Sequence, residues 1–274
     1  MLQYILFLFL LLFIIIINIK NAESFNNDKN VHFITYGDDN FKKSKERIIN
    51  EAKDSGFFTS TIAYGPDDLS SEFVEKYKDI LKENRGGGYW IWKYDIIPRK
   101  LKEIPENDYL VYCDAGCTIN KEGENRFQEY LQMIDKSKYD IISFQMKHFL
   151  EKHWTTKELF KACGVTYNNN IKNSGIYVGG ILIMKNTPKI HKLYNECLKI
   201  LEKDKNLIKD KYNNNNQISE FKENRHDQSL LSIMRKKHGS IILPHEPEYI
   251  FEEEHIKEKL LNTKLIPILA TRIK

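Results

Sequence analysis

The sequence has no block of basic side chains. Its 42 Lys and Arg are nearly balanced by 38 Asp and Glu, leaving a net charge of +4 spread along the chain. That excludes the concentrated positive footprint of a nucleic-acid-binding protein. Cysteines are few: Cys113, Cys117, Cys163 and Cys197. Four cysteines allow three full pairings, and the sequence does not choose among them. Cys113 and Cys117 have the spacing of half a zinc site, but no second half of suitable spacing follows, so buried or free thiols are expected. No Asn-x-Ser/Thr sequon occurs, so N-glycosylation says nothing about compartment. No internal repeat is visible.

A long apolar run does stand at the N-terminus. Ile5 to Ile19 are apolar except for Asn18, and Leu2 and Tyr4 extend the run. A spanning helix takes about 20 apolar residues and a signal-peptide core about 7–15, and this run falls between them. No Lys or Arg precedes it, Lys20 follows it, and Asn21-Ala22-Glu23-Ser24 is a poor match to a small-x-small cleavage site. Residues 1–22 are therefore read as a signal-anchor or a signal peptide, placing the rest in the secretory lumen or a similar space. The protein is then single-pass and type II-like, touching the membrane through its N-terminal segment, or fully luminal. Residues 26–274 suffice for one α/β domain with a single core.

Strand-like and helix-like segments alternate. Val31 to Tyr36 is a β-rich run closed by Gly37, and residues 41–55 are helix-forming up to Gly56. Phe57 to Tyr64 reads as a second strand. Phe73, Val74, Tyr77, Ile80 and Leu81 then mark one face of a helix. A helix is expected from Tyr89 to Leu101, bent or ended by Pro98. Tyr109 to Cys113 is the best buried strand, followed by a helix carrying Phe127, Tyr130, Leu131 and Ile134 and a strand over Asp140 to Phe144. Ile176 to Met184 reads as one strand. Ile190, Leu193, Tyr194, Cys197 and Leu201 mark the next helix, and 203–217 a surface loop. A helix over Asp227 to Lys237 and a strand over Ser240 to Leu243 complete the pattern. Such alternation predicts a single Rossmann-like domain with a mostly parallel central sheet flanked by helices. Ligands in such sheets bind beyond the carboxyl ends of the strands.

Asp114 stands at that edge, in Asp114-Ala115-Gly116 directly after the buried strand. A carboxylate there can hold a divalent cation against a diphosphate, or simply cap a turn. Arg85 to Lys93 packs three glycines, three aromatics and two cations into nine residues. Its backbone N–H groups and charges suit a phosphate, and its rings suit a base or sugar, unless they are core. Gly179-Gly180 interrupts an apolar strand, which makes sense where a sugar ring or another strand must approach the backbone. His226, Asp227 and Gln228 open a helix and suit sugar hydroxyls or proton transfer, although Asp227 also fits a helix N-cap. His245, just past the last strand, is either a metal ligand or a structural histidine.

Taken together these segments resemble GT-A glycosyltransferases. Tyr112-Cys113-Asp114-Ala115-Gly116 is similar to the family's Asp-x-Asp element, with Gly116 in place of the second aspartate. Gly86 to Lys93 resembles a donor-side segment, and Arg225-His226-Asp227-Gln228 an Asp-Gln helix start beside donor and acceptor. The resemblance covers roughly residues 31 to 250. It implies a GT-A fold and transfer of a sugar from a nucleotide-diphosphate sugar to a hydroxyl acceptor on a glycan or protein. Tyr36, Arg85, Gly87, Trp92, Lys93, Asp114, Ala115, Gly116 and Gly180 would then hold the donor. Asp114 and His245 would hold Mn²⁺ or Mg²⁺, if a metal is used. Asp227, His226 and Gln228 would serve catalysis. The lost aspartate keeps a catalytically inactive sugar-nucleotide-binding protein as an alternative. An Asp114-dependent phosphohydrolase fits less well, and a nucleotidyltransferase would not need the leader.

Overall fold

The structure, a computed structural model, describes residues 29–247 and 265–273; the apolar run within residues 1–22 lies outside them. Contacts divide the chain into Met1–Asn30 and Val31–Lys274, and the sheets and helices of the described residues belong to the second unit. Among the described residues no helix is long and apolar enough to cross a membrane.

The main sheet contains Val31–Tyr36 (β1), Ser60–Tyr64 (β2), Tyr109–Cys113 (β3), Ile141–Leu150 (β5), Gly175–Tyr177 (β6), Ile181–Lys185 (β7) and Ile241–Pro244 (β8). Thr118–Ile119 (β4) pairs with Ile268–Leu269 (β9) in a separate antiparallel ribbon. The order is β2-β1-β3-β7-β5-β6, with β8 on β5. β1 is parallel to β2 and β3, and β8 is parallel to β5. β7 is antiparallel to both β3 and β5, and β6 is antiparallel to β5.

The sheet is thus mixed rather than mostly parallel, for a local reason. Parallel neighbours need a full crossover, whereas a short return gives an antiparallel one. After β5 the chain makes only three short helical turns, Glu151–Trp154, Lys157–Ala162 and Asn169–Lys172. It re-enters the sheet from the edge where β5 ended. The run Ile176 to Met184 is also two strands, because β6 and β7 follow one another along the same edge of β5, opposite β8, with Val178-Gly179-Gly180 bulging between them.

Every residue of β3 is fully buried, and its alternation separates two core layers. Tyr109, Val111 and Cys113 pack towards Lys42–Ser55 (α1) and Glu124–Lys136 (α4). Leu110 and Tyr112 pack towards Ser71–Leu81 (α2), Lys93–Glu103 (α3), Pro188–Lys203 (α5) and Asp227–His238 (α6). Tyr112 therefore points its hydroxyl at the face from which α3 and α6 begin. α3 starts at Lys93, four residues later than the sequence suggests, and Pro98 is accommodated inside it. The four cysteines are buried free thiols.

Candidate functional site

The register Cys113↔Ile181 between β3 and β7 carries Asp114 alongside Gly180, and Asp114 N donates to Gly180 O at 2.8 Å. A Cβ on Gly180 would lie 2.5 Å from Asp114 Oδ2, so glycine is what lets the carboxylate sit there. The group approaching the Gly179-Gly180 backbone is thus protein: Asp114 at Gly180, and at Gly179 the Gln228 side chain, 2.9 Å from where a Cβ would be.

Three elements meet at the Lys93 ammonium. Its Nζ lies 3.2 Å from Asp114 Oδ1 and donates to Asp227 Oδ2 at 2.9 Å and Gly179 O at 3.0 Å. Tyr112 donates its hydroxyl to the same Asp114 Oδ1. The Lys93 and Asp227 side chains are 4% and 6% exposed and that of Asp114 40%, so Asp114 is the member open to a ligand. Burial works against the Lys93 charge, but Asp114 and Asp227 outweigh it and hold its pKa above the ordinary lysine value. Burial pushes the Asp227 carboxyl up to about 6, opposed by Lys93.

A left-handed turn forms a second wall. Gly86, Gly87, Gly88, Tyr89 and Trp90 all have φ between 54° and 93°. Glycine is required at Gly88, where a Cβ would lie 2.8 Å from Leu81 Cα. The N–H groups of Gly87, Gly88, Tyr89 and Trp90 are bonded to carbonyls of residues 83–86, so they form no phosphate cradle. The aromatics also find protein partners. Trp92 stacks on Tyr36 with centroids 3.8 Å apart, Tyr89 donates to Asp210, and Trp90 lies against the His226 ring. His226 is buried with φ 57° and ψ −125° at the start of α6. Its Nε2 pairs with Asp210 at 3.0 Å, and burial lowers its pKa.

A third wall escaped the sequence reading. The strand β9 lies beside β4, and beyond it Thr271 Oγ1 and Ile273 N donate to Gly116 O at 2.9 and 3.0 Å. This strap runs so close to Gly116 that a Cβ there would lie 3.3 Å from Arg272 Cα. Gly116, which stands where the family's second aspartate would be, makes room for the strap. Arg272 follows a two-residue strand that has no periodicity to read, and only its charge could have drawn attention to it. Arg225, part of the Asp-Gln helix start but given no role by the resemblance, lies with its guanidinium 4.0 Å from the Trp154 ring centroid.

One cleft of about 770 Å³ is lined by every donor, metal and catalytic residue that the sequence suggests, and by Arg225 and Arg272 as well. No family model and no curated protein matches the chain. Solved structures do. The bifunctional glycosyltransferase WbbM matches with TM-score 0.51 and 11% identity, over 89% of this chain and 46% of its own. Mouse xyloside xylosyltransferase 1 follows at TM-score 0.48 and 8% identity, over 89% and 94%. Galactosyltransferase LgtC, solved with donor and acceptor sugar analogs, matches at 0.44 and 10%, over 87% and 86%. The chain has a GT-A-like glycosyltransferase fold. It spans less than half of WbbM.

GT-A folds often carry a divalent cation, but the donor set here does not fit one. Between its two carboxylates stands the Lys93 ammonium, which a cation would have to displace against like charge. His245 lines the same cleft, with its pKa lowered to about 4 by burial and by Arg272. Among the described residues no group of three His, Cys, Asp or Glu side chains could hold a metal.

Proposed function

We propose that residues 26–274 form a catalytic domain that transfers a sugar from a nucleotide-diphosphate sugar to a hydroxyl on a glycan or protein. The carrying observation is the Lys93-centred meeting of Asp114 and Asp227 in a cleft at the carboxyl end of β1 and β3. That edge is where α/β sheets bind ligands, and the GT-A-like fold supports the same reading. Asp114, held by Lys93 and Tyr112 and open to the cleft, accepts hydrogen bonds from donor hydroxyls. Tyr36, at the end of β1, and Trp92, stacked on it, form the floor beside the nucleoside. Asp227 and Gln228 face the reacting sugar from the start of α6, with Gln228 steadied by its bond to Tyr177 O at 2.9 Å. A donor fixed by these groups presents its anomeric carbon in one orientation, which converts a bimolecular encounter into a positioned reaction. The apolar run within residues 1–22, if it serves as a leader, would put this domain on the luminal side.

The test is nucleotide release by the purified full chain from UDP-, GDP- and dTDP-sugars, with simple phosphomonoesters alongside. Release from one donor supports transfer. Phosphate release from the monoesters instead would make the protein a hydrolase. Nucleotide binding without release would make it an inactive binding protein.

A further inference from the structure

A leaving nucleoside diphosphate needs positive charge beside its phosphates. Four basic side chains line the cleft: Arg85, Lys93, Arg225 and Arg272. Lys93 spends all three donors on Asp114, Asp227 and Gly179 O. Arg85 pairs with Asp210 at 3.0 Å and Glu223 at 3.4 Å. Arg225 pairs with Glu223 at 3.5 Å. Arg272 is the cleft cation without an acid partner among the described residues. It is also held in place: its neighbours Thr271 and Ile273 both bond to Gly116 O, two residues after Asp114. Its own backbone is strained, at φ 56°. A strained arginine on a strap tied to the Asp114 turn has a backbone that its surroundings over-determine, which marks functional positions.

We infer that Arg272 supplies the counter-charge for the donor's diphosphate, so that nucleotide binding needs no divalent cation. Lys93 fills the gap between the carboxylates and keeps their charge from repelling the phosphates. Arg272 brings a fixed guanidinium fork, which matches phosphate oxygens two at a time. No bond is made or broken by either residue. Both act on the charge that develops as the glycosidic oxygen leaves with the nucleotide. This inference rests on the transferase reading.

The experiment is titration of UDP, GDP and dTDP into the full chain by calorimetry, in EDTA and in Mn²⁺, for the native chain, Arg272→Gly and Arg272→Lys. Glycine suits the positive φ, and the side chain is exposed, so Arg272→Gly removes the charge and leaves the fold intact. Expected is binding of one nucleotide with equal affinity in both buffers. Arg272→Gly should weaken it about tenfold or more, and Arg272→Lys should recover part of the loss. Binding that requires Mn²⁺, or full affinity in Arg272→Gly, overturns the inference and leaves the transferase reading standing. Binding of none of the three in either buffer removes both.

Discussion

Asp114 and Asp227 are carried by the ends of regular elements, β3 and α6. Trp90, His226 and Arg272 reach the same cleft from backbone at φ 58°, 57° and 56°. On the regular side, side chains satisfy one another: Lys93, Tyr112, Asp114 and Asp227 are bonded before any ligand arrives. On the irregular side, each residue holds a conformation costing about 1–3 kcal/mol, maintained by neighbours such as Asp210 for His226 and Gly116 for the strap. The regular half fixes where charge sits, and the irregular half shapes the space around it. Substitutions on the first should thus cost stability and activity together, and those on the second mainly activity.

The sharpest way to break this contrast is Lys93→Met. It leaves Asp227 buried beside Asp114 without a counter-charge, and removing one partner of a buried pair costs about 3–5 kcal/mol. A drop of that size in the free energy of unfolding by urea is expected, together with loss of nucleotide release. A change under about 1 kcal/mol would mean the ammonium does not hold this wall together. Next, Gly180→Ala puts a methyl 2.5 Å from Asp114 Oδ2. Overpacking of this kind costs about 1–3 kcal/mol, and the displaced carboxylate should abolish turnover, both measurable on one preparation.

Titration of Asp227 sharpens the contrast further. Its carboxyl, at about 6 in the fold against 3.8 ordinarily, holds its proton more tightly when folded. Its contribution to stability therefore rises as pH falls from about 6 towards 4, and is lost as pH rises through that window. Activity requiring the charged form should move the other way, falling about tenfold per pH unit below 6. Asp227→Asn should remove both trends, as read in parallel unfolding and rate profiles. The smallest effect is expected from Arg85→Ala on the irregular side. Its ion pairs are half exposed, so stability should change by about 0.2–1 kcal/mol at most.

Legibility in the sequence follows the same division. β3 is readable because five strand-forming residues run straight into Asp114, and α4 and α5 because their apolar residues recur at helical spacing. The segment 176–184 is not, because apolar content alone does not reveal the bulge at Val178-Gly179-Gly180 that shifts its register against β5. Lys93 stands out in the sequence only for a charge suited to phosphate. Its pairing with Asp227, far along the chain, is a tertiary fact that no local pattern encodes. The glycine run announces a turn, but the left-handed conformation of Tyr89 and Trp90 is set by packing. Arg272 sits in a segment too short for periodicity to mark.

The most direct measurement is nucleotide release by the native chain and by Asp114→Asn, on whichever donor the panel selects. The substitution keeps the shape of the side chain and removes the charge facing Lys93, the donor and the cleft. A fall in turnover of about 10²–10³-fold is expected, the scale seen when one well-placed electrostatic group is lost. Equal release from both proteins would contradict the assignment of this cleft to sugar transfer.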